Sequence, residues 1–352
     1  MKHTSALPDT PMALRQAWDD LKAQEPRLRI RDCAAQLGVS EAELLATTVG
    51  ETAVRLQGDW PQLVKRLPDL GRVMSLTRNA SCVLEHKGPF QKVDTFGEGD
   101  RAMGTVIGPI ETRVFFKAWH VGFAVRLETP HGLQQSLQIF DREGTAVTKI
   151  YLQPESHQAV YDQLVADYRA EDQSNAQPTT PYAPETYATD VDREALLQDW
   201  AQLEDTHHFF GMLRKHQVHR LDALHLAEGR FAHRIAPEAL ASLLETAAST
   251  QLPIMIFAGN RGNLQIHQGK VRTIRVMGPW LNVLDPTFNM HLRQDHIDTA
   301  WIVEKPTTDG TVTALELYDP HKNLIAQLFG LRKPGVPEKS AWRALVAELP
   351  RL

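Results

Sequence analysis

"LQIFDREGTAVTKIYL" (137–152) and "LELYDPHKNLIAQLF" (315–329) are two versions of one pattern. In each, polar residues alternate with apolar or β-branched ones on both sides of a turn sequence, DREG or DPHKN, as in an antiparallel hairpin. Further matches lie on either side. "LRQAWDDL" (14–21) pairs with "LLQDWAQL" (196–203), "VLEHKGPF" (83–90) with "LQIHQGKV" (264–271), and GPI at 108 with GPW at 278. All four matches keep the same order at offsets of 170 to 182 residues, so the chain reads as an internal duplication.

Each half opens helically, since "PMALRQAWDDLKAQ" and "REALLQDWAQL" place Leu and Trp on one face at helical spacing. Later in each half the period changes to two. The expected fold class is α+β: two tandem structural repeats, each a large antiparallel β-sheet with flanking helices. Between them, "EDQSNAQPTTPYAPETYATD" is rich in Pro, Thr, Ser and Asn and reads as a linker. The expected organisation is therefore an N-terminal repeat at 1–170, a linker at 171–190 and a C-terminal repeat at 191–352. A cleft between two such halves is a natural ligand site.

Composition narrows the function. The 352 residues carry a formal charge of −5, which argues against a dedicated nucleic-acid binder. Cys33 and Cys82 form no CxxC, so neither a disulfide framework nor a cysteine-rich zinc site is expected. The opening "MKHTSALPDTPMALRQAW" has no signal-peptide core, and no run approaches the ~18 apolar residues of a membrane span. These features place the protein in the cytoplasm, with no membrane insertion.

Among motifs, "EDTHHFF" (204–210) sets two imidazoles side by side between acids and aromatics. Consecutive helical residues point about 100° apart, so His207 and His208 serve a metal one at a time. His216, His219, His225 and His233 follow, but no nearby acid completes a zinc pattern. "RDCAAQLGVSEAELL" (31–45) has the outline of a helix-turn-helix, yet its second helix carries two glutamates and no base-reading side chain. It reads as a helical hairpin with Gly38 at a helix end. "GEGDRAMG" (97–104) reads as a turn, and no GxGxxG, P-loop, GxSxG or HExxH is present.

Taken together, "EDTHHFFGMLRKHQVHR", "GNRGNLQIHQG", "NVLDPTFNMHLR", "EKPTTDG" and "AQLFGLRKPG" resemble the bacterial hemin-degrading factor family, the HemS-type cytoplasmic haem-utilisation (hemin transport) proteins, and most of all its haem-chaperone branch. The resemblance covers nearly the whole chain. It implies one haem b per chain in a cleft between the halves, with His207 as the proximal iron ligand and His208 as an alternative. It further implies Arg113 on the opposite face of the haem, Arg220, Lys305 and Arg332 at the propionates, and Phe257, Gln327 and Phe329 in the binding set. The chain departs from the family at Phe210, where chaperone relatives often carry histidine, and at Phe329, where some carry tyrosine. The implied function is receipt of imported haem and its delivery to a haem oxygenase, with the oxygenase and the importer as partners. The alternative is an enzyme that opens the porphyrin oxidatively with an external electron donor, Arg113 then being catalytic. A haem-sensing DNA-binding regulator is a third reading.

Overall fold

A computed structural model describes residues 10–130, 132–332 and 335–352, so residues 1–9, which open the stretch read for a signal peptide, lie outside it. The first half runs α1 (Pro11–Gln24), α2 (Ile30–Leu37), α3 (Glu41–Ala46), β1 (Ala53–Leu56), α4 (Trp60–Arg66), β2 (Gly71–Arg78), β3 (Cys82–Pro89), β4 (Val93–Phe96), β5 (Met103–Val106), β6 (Glu111–Phe115), β7 (Val121–Thr129), β8 (Gly132–Phe140), β9 (Ala146–Ser156) and α5 (Gln158–Asp167). The second repeats the plan: α6 (Arg193–Ala201), α7 (His208–Lys215), α8 (Arg220–Leu226), β10 (Ala232–Ile235), α9 (Ala239–Ser249), β11 (Ile254–Gly259), β12 (Asn263–Gly269), β13 (Ile274–Met277), β14 (Trp280–Leu284), β15 (Phe288–Arg293), β16 (Thr299–Lys305), β17 (Val312–Tyr318), β18 (Leu324–Gly330) and α10 (Ser340–Ala347).

Two compact units result. Among the described residues, unit one comprises 10–77, 86–183 and 260–264; unit two comprises 78–85, 184–259 and the rest from 265 to 352. Within unit one the strands run β1-β7-β8-β9-β2, all antiparallel, beside a β4-β5-β6 meander. Within unit two the equivalent order is β10-β16-β17-β18-β11, beside β13-β14-β15. The expected duplicated α+β fold is the one observed.

Register shows how closely the repeats correspond. One cross-strand row of unit one reads Arg55, Phe123, Gln138, Lys149, Leu76. Its counterpart in unit two reads Arg234, Trp301, Glu316, Gln327, Phe257. In both rows the edge arginine lies over the aromatic beside it, at 5.2 Å for Arg55 and 5.8 Å for Arg234.

Both central hairpins turn in the same way. The Asp141 carboxylate accepts from the N–H groups of Glu143 and Thr145, and that of Asp319 from those of His321 and Asn323. A short aspartate folded onto its own backbone makes the tight turn that DREG and DPHKN required.

Apolar faces then close the cores. In unit two, α9 buries Ala239, Leu240, Leu243, Leu244 and Ala247 in one stripe, packed with Ile256, Ile302, Leu328 and Trp342. A second core gathers Trp200, Phe209, Leu213 and Leu224 with Trp301 and Tyr318, so α6, α7 and α8 share one anchor. In unit one, Trp60, Leu63, Trp119 and Tyr161 form the corresponding centre.

The polar segment after α5 carries no regular structure, and its first part is fastened down. The Arg55 guanidinium donates to the carbonyls of Ser174 (3.0 Å) and Ala176 (2.7 Å) and to Gln177. Further on, Tyr182 lies between the guanidinium groups of Arg142 and Arg261, at 4.2 and 4.4 Å. Unit one also needs its distant piece, because the Trp119 indole donates to the Gly262 carbonyl (3.0 Å) and Asn263 bonds both Thr77 and Thr112.

Candidate functional site

His207 stands just before the first turn of α7, and its imidazole is 92% exposed. Asp205, just ahead of the helix, accepts the His207 N–H at 2.7 Å and meets Nδ1 at 2.5 Å. The hydrogen bond from the His207 backbone is the main reason the Asp205 carboxyl is held below its usual range. An ionised carboxylate can only accept, so Nδ1 is the donor in this contact and Nε2 is the ring nitrogen it leaves unengaged. A metal-ligating imidazole is commonly oriented in this way, with a carboxylate behind Nδ1 and Nε2 turned to the metal.

His208 begins the helix and is also exposed. Phe209 points the other way. Its ring meets Trp200 edge-on at 4.7 Å, and Trp200 in turn stacks on Phe231. The two histidines are thus mounted on a turn whose next residue is locked in the core. Phe210 is 63% exposed, with the Arg214 guanidinium 5.2 Å from its ring.

Behind Phe209 lies a buried polar cluster. Glu316, fully buried on β17, receives Arg220 through Nε (2.8 Å) and Nη2 (2.5 Å), Lys305 through Nζ (3.2 Å), Gln327 through Nε2 (2.9 Å) and the Tyr318 hydroxyl (2.6 Å). Burial alone would raise the Glu316 pKa, but Arg220 and Lys305 outweigh it and hold the carboxyl far below its usual range. Burial likewise works against the charge of Arg220, and Glu316 more than offsets it. Lys305 is pushed down to about 8 because burial wins there, with Arg220 adding to the depression.

The structure therefore brings Arg220, Lys305 and Gln327 together around an acid that sequence reasoning passed over. The available signal was a lone glutamate inside "VTALELY", a strand buried along its whole length, where an acid needs partners. Phe257 and Phe329 also meet, at 5.1 Å edge to face. Arg332 sits apart, 3.8 Å from Asp309. Arg113 belongs to β6 of unit one, where it pairs with Glu111 at 3.1 Å.

Among the described residues no group of three or more His, Cys, Asp or Glu could hold a bare metal ion, and no helix is long and apolar enough to cross a membrane. A turn with exposed imidazoles, next to an aromatic ring that two cations contact, suits a metal that brings most of its own ligands.

A duplicated α+β protein with a carboxylate-held imidazole beside a cation cluster is the class that fold and site define. The chain belongs to the family of the haemin-degrading HemS.ChuX domain, whose model matches it twice, at residues 38–168 and 217–349. It is 33% identical to the hemin transport protein HmuS of Yersinia pestis, over 96% of this chain and 97% of that one. Among solved structures it is similar to holo-PhuS, a heme-binding protein from Pseudomonas aeruginosa, with a TM-score of 0.94, 46% identity, and coverage of 97% of this chain and 100% of that one. It is also similar to ChuS, an E. coli heme oxygenase, with a TM-score of 0.85, 33% identity, and coverage of 96% and 99%.

Proposed function

We propose that this protein binds one haem b per chain through His207 and carries imported haem through the cytoplasm to a haem oxygenase. The carrying observation is the His207–Asp205 pair, which engages Nδ1 and leaves Nε2 as the exposed nitrogen that can take iron, on a turn anchored by Phe209. His208 follows on the same turn as an alternative ligand, so iron can change imidazoles during transfer without leaving the protein. Arg220, Lys305 and Arg332 supply positive charge for the two propionates, and Phe257, Gln327 and Phe329 line the macrocycle. The likeness to a heme-binding protein at 46% identity supports this reading.

A haemin titration of wild type, His207→Ala and His208→Ala tests it. Wild type gives a one-to-one Soret transition, His207→Ala changes the ligation spectrum and slows transfer to an oxygenase, and His208→Ala leaves the resting spectrum intact. Unchanged spectra and transfer in His207→Ala would overturn the assignment. The second reading, oxidative ring opening with Arg113 acting on the distal side, draws on the likeness to ChuS. Haem consumption by the pure protein with an electron donor and catalase present would favour it.

A further inference from the structure

We propose that Glu316 is the positioning residue of the haem site: it clamps Arg220 and Lys305 over the face of Phe209 and so fixes the turn that carries His207 and His208. This rests on the haem reading above. Lys305 Nζ lies 4.4 Å and the Arg220 guanidinium carbon 4.9 Å from the Phe209 ring centre. Both are cation–π contacts, and both cations are held there by the same carboxylate. Without Glu316 two buried positive groups would repel each other beside one ring, and the ring would lose the pair held against it.

The molecule contains its own comparison. At the matching positions of unit one, Gln138 occupies the place of Glu316 and Lys149 that of Gln327, with a Glu41–Lys149 pair reaching the helix. A buried polar centre is thus common to both repeats, and in unit one it includes the Glu41–Lys149 ion pair. Only the repeat that carries the two histidines has moved the acid to the middle strand and gathered two bases around it. A purely architectural role explains the cluster in unit one but not the second cation in unit two.

The cluster also sets the charge offered to an anion. Arg220 and Lys305 together exceed Glu316 by one positive charge, and Arg220 Nη1 is not used in the bonds to Glu316. Glu316 therefore keeps the cations in place while leaving part of their charge for a carboxylate ligand.

The test compares wild type, Glu316→Gln, Glu316→Asp and Lys149→Met, the last removing the buried base of unit one. Two quantities are read: the NMR resonances of the His207 and His208 rings without ligand, and haemin affinity with its ligation spectrum. Glu316→Gln is expected to shift both histidine signals and weaken haemin binding at least tenfold, with Glu316→Asp restoring part of each. Lys149→Met is expected to lower the melting temperature and leave both histidines unmoved. If Glu316→Gln does not fold, Tyr318→Phe, which removes one donor and no charge, is expected to shift the same signals by less. Histidine signals and haemin affinity unchanged in folded Glu316→Gln, or Tyr318→Phe in its stead, would overturn the proposal. Failure of wild type to bind haemin would defeat the functional reading, and the ring signals would still decide whether Glu316 positions the turn.

Discussion

At the scale of single residues, burial decides which side chains respond to pH. The His267 ring stacks on Phe288 at 3.7 Å and 13°, and burial pushes its pKa from 6.5 down to about 4. As pH falls below 6.5 the unfolded chain takes up a proton that the folded chain refuses until about 4. His267 thus contributes stability that is present above pH 6.5 and lost progressively between 6.5 and 4, by at most about 3 kcal/mol. Urea unfolding at several pH values across that window should show a shallower loss for His267→Gln than for wild type; equal losses would show that the ring does not set the response. The same physics explains what the sequence conceals at this scale. His207 and its neighbour Asp205 are two positions apart and could be read together. Besides Tyr318 nearby, Glu316 gathers partners from positions 220, 305 and 327, which only the folded sheet and helix bring into contact.

At the scale of elements, the two central hairpins show how one turn tolerates different residues. Gly144 (φ +76°) and Lys322 (φ +66°) hold equivalent left-handed positions. A Cβ on Gly144 would lie 2.1 Å from Ser40 Oγ and 2.5 Å from Ser40 Cβ, whereas Lys322 projects outward and pairs with Asp222 at 2.7 Å. Gly144→Lys should therefore cost more than about 2 kcal/mol, combining backbone strain with a clash against the residue that caps α3. Lys322→Gly should fall between neutral and a gain of about 1 kcal/mol, since relieved strain is offset by an exposed ion pair worth little. Denaturation midpoints that move equally for both would contradict this asymmetry. These hairpins were legible because alternation and an Asp-led turn are local patterns. The start of α7 was less so: the nearby acid binds the imidazole as well as the backbone, and the helix begins only at His208.

At the scale of the molecule, duplication was visible in the sequence, but the exchange of segments was not. Nothing local in "GNRGN" says that residues 260–264 complete unit one while 78–85 complete unit two. A fragment ending at residue 183 should therefore be poorly soluble alone, with Trp119, Thr112 and Thr77 deprived of their partners, and become soluble when residues 184–352 are co-expressed with it. A cooperative, soluble 1–183 fragment would refute that.

The borrowed pentapeptide also imposes an order on biosynthesis. Trp119 waits for a carbonyl made more than a hundred residues later, so the amino-terminal repeat cannot finish its core while the ribosome is still translating the first half of the message. Until then it would remain a client for chaperones, and maturation of the two repeats would be nearly simultaneous. Duplication has thus given a chain in which each unit is completed by a short segment from the other half.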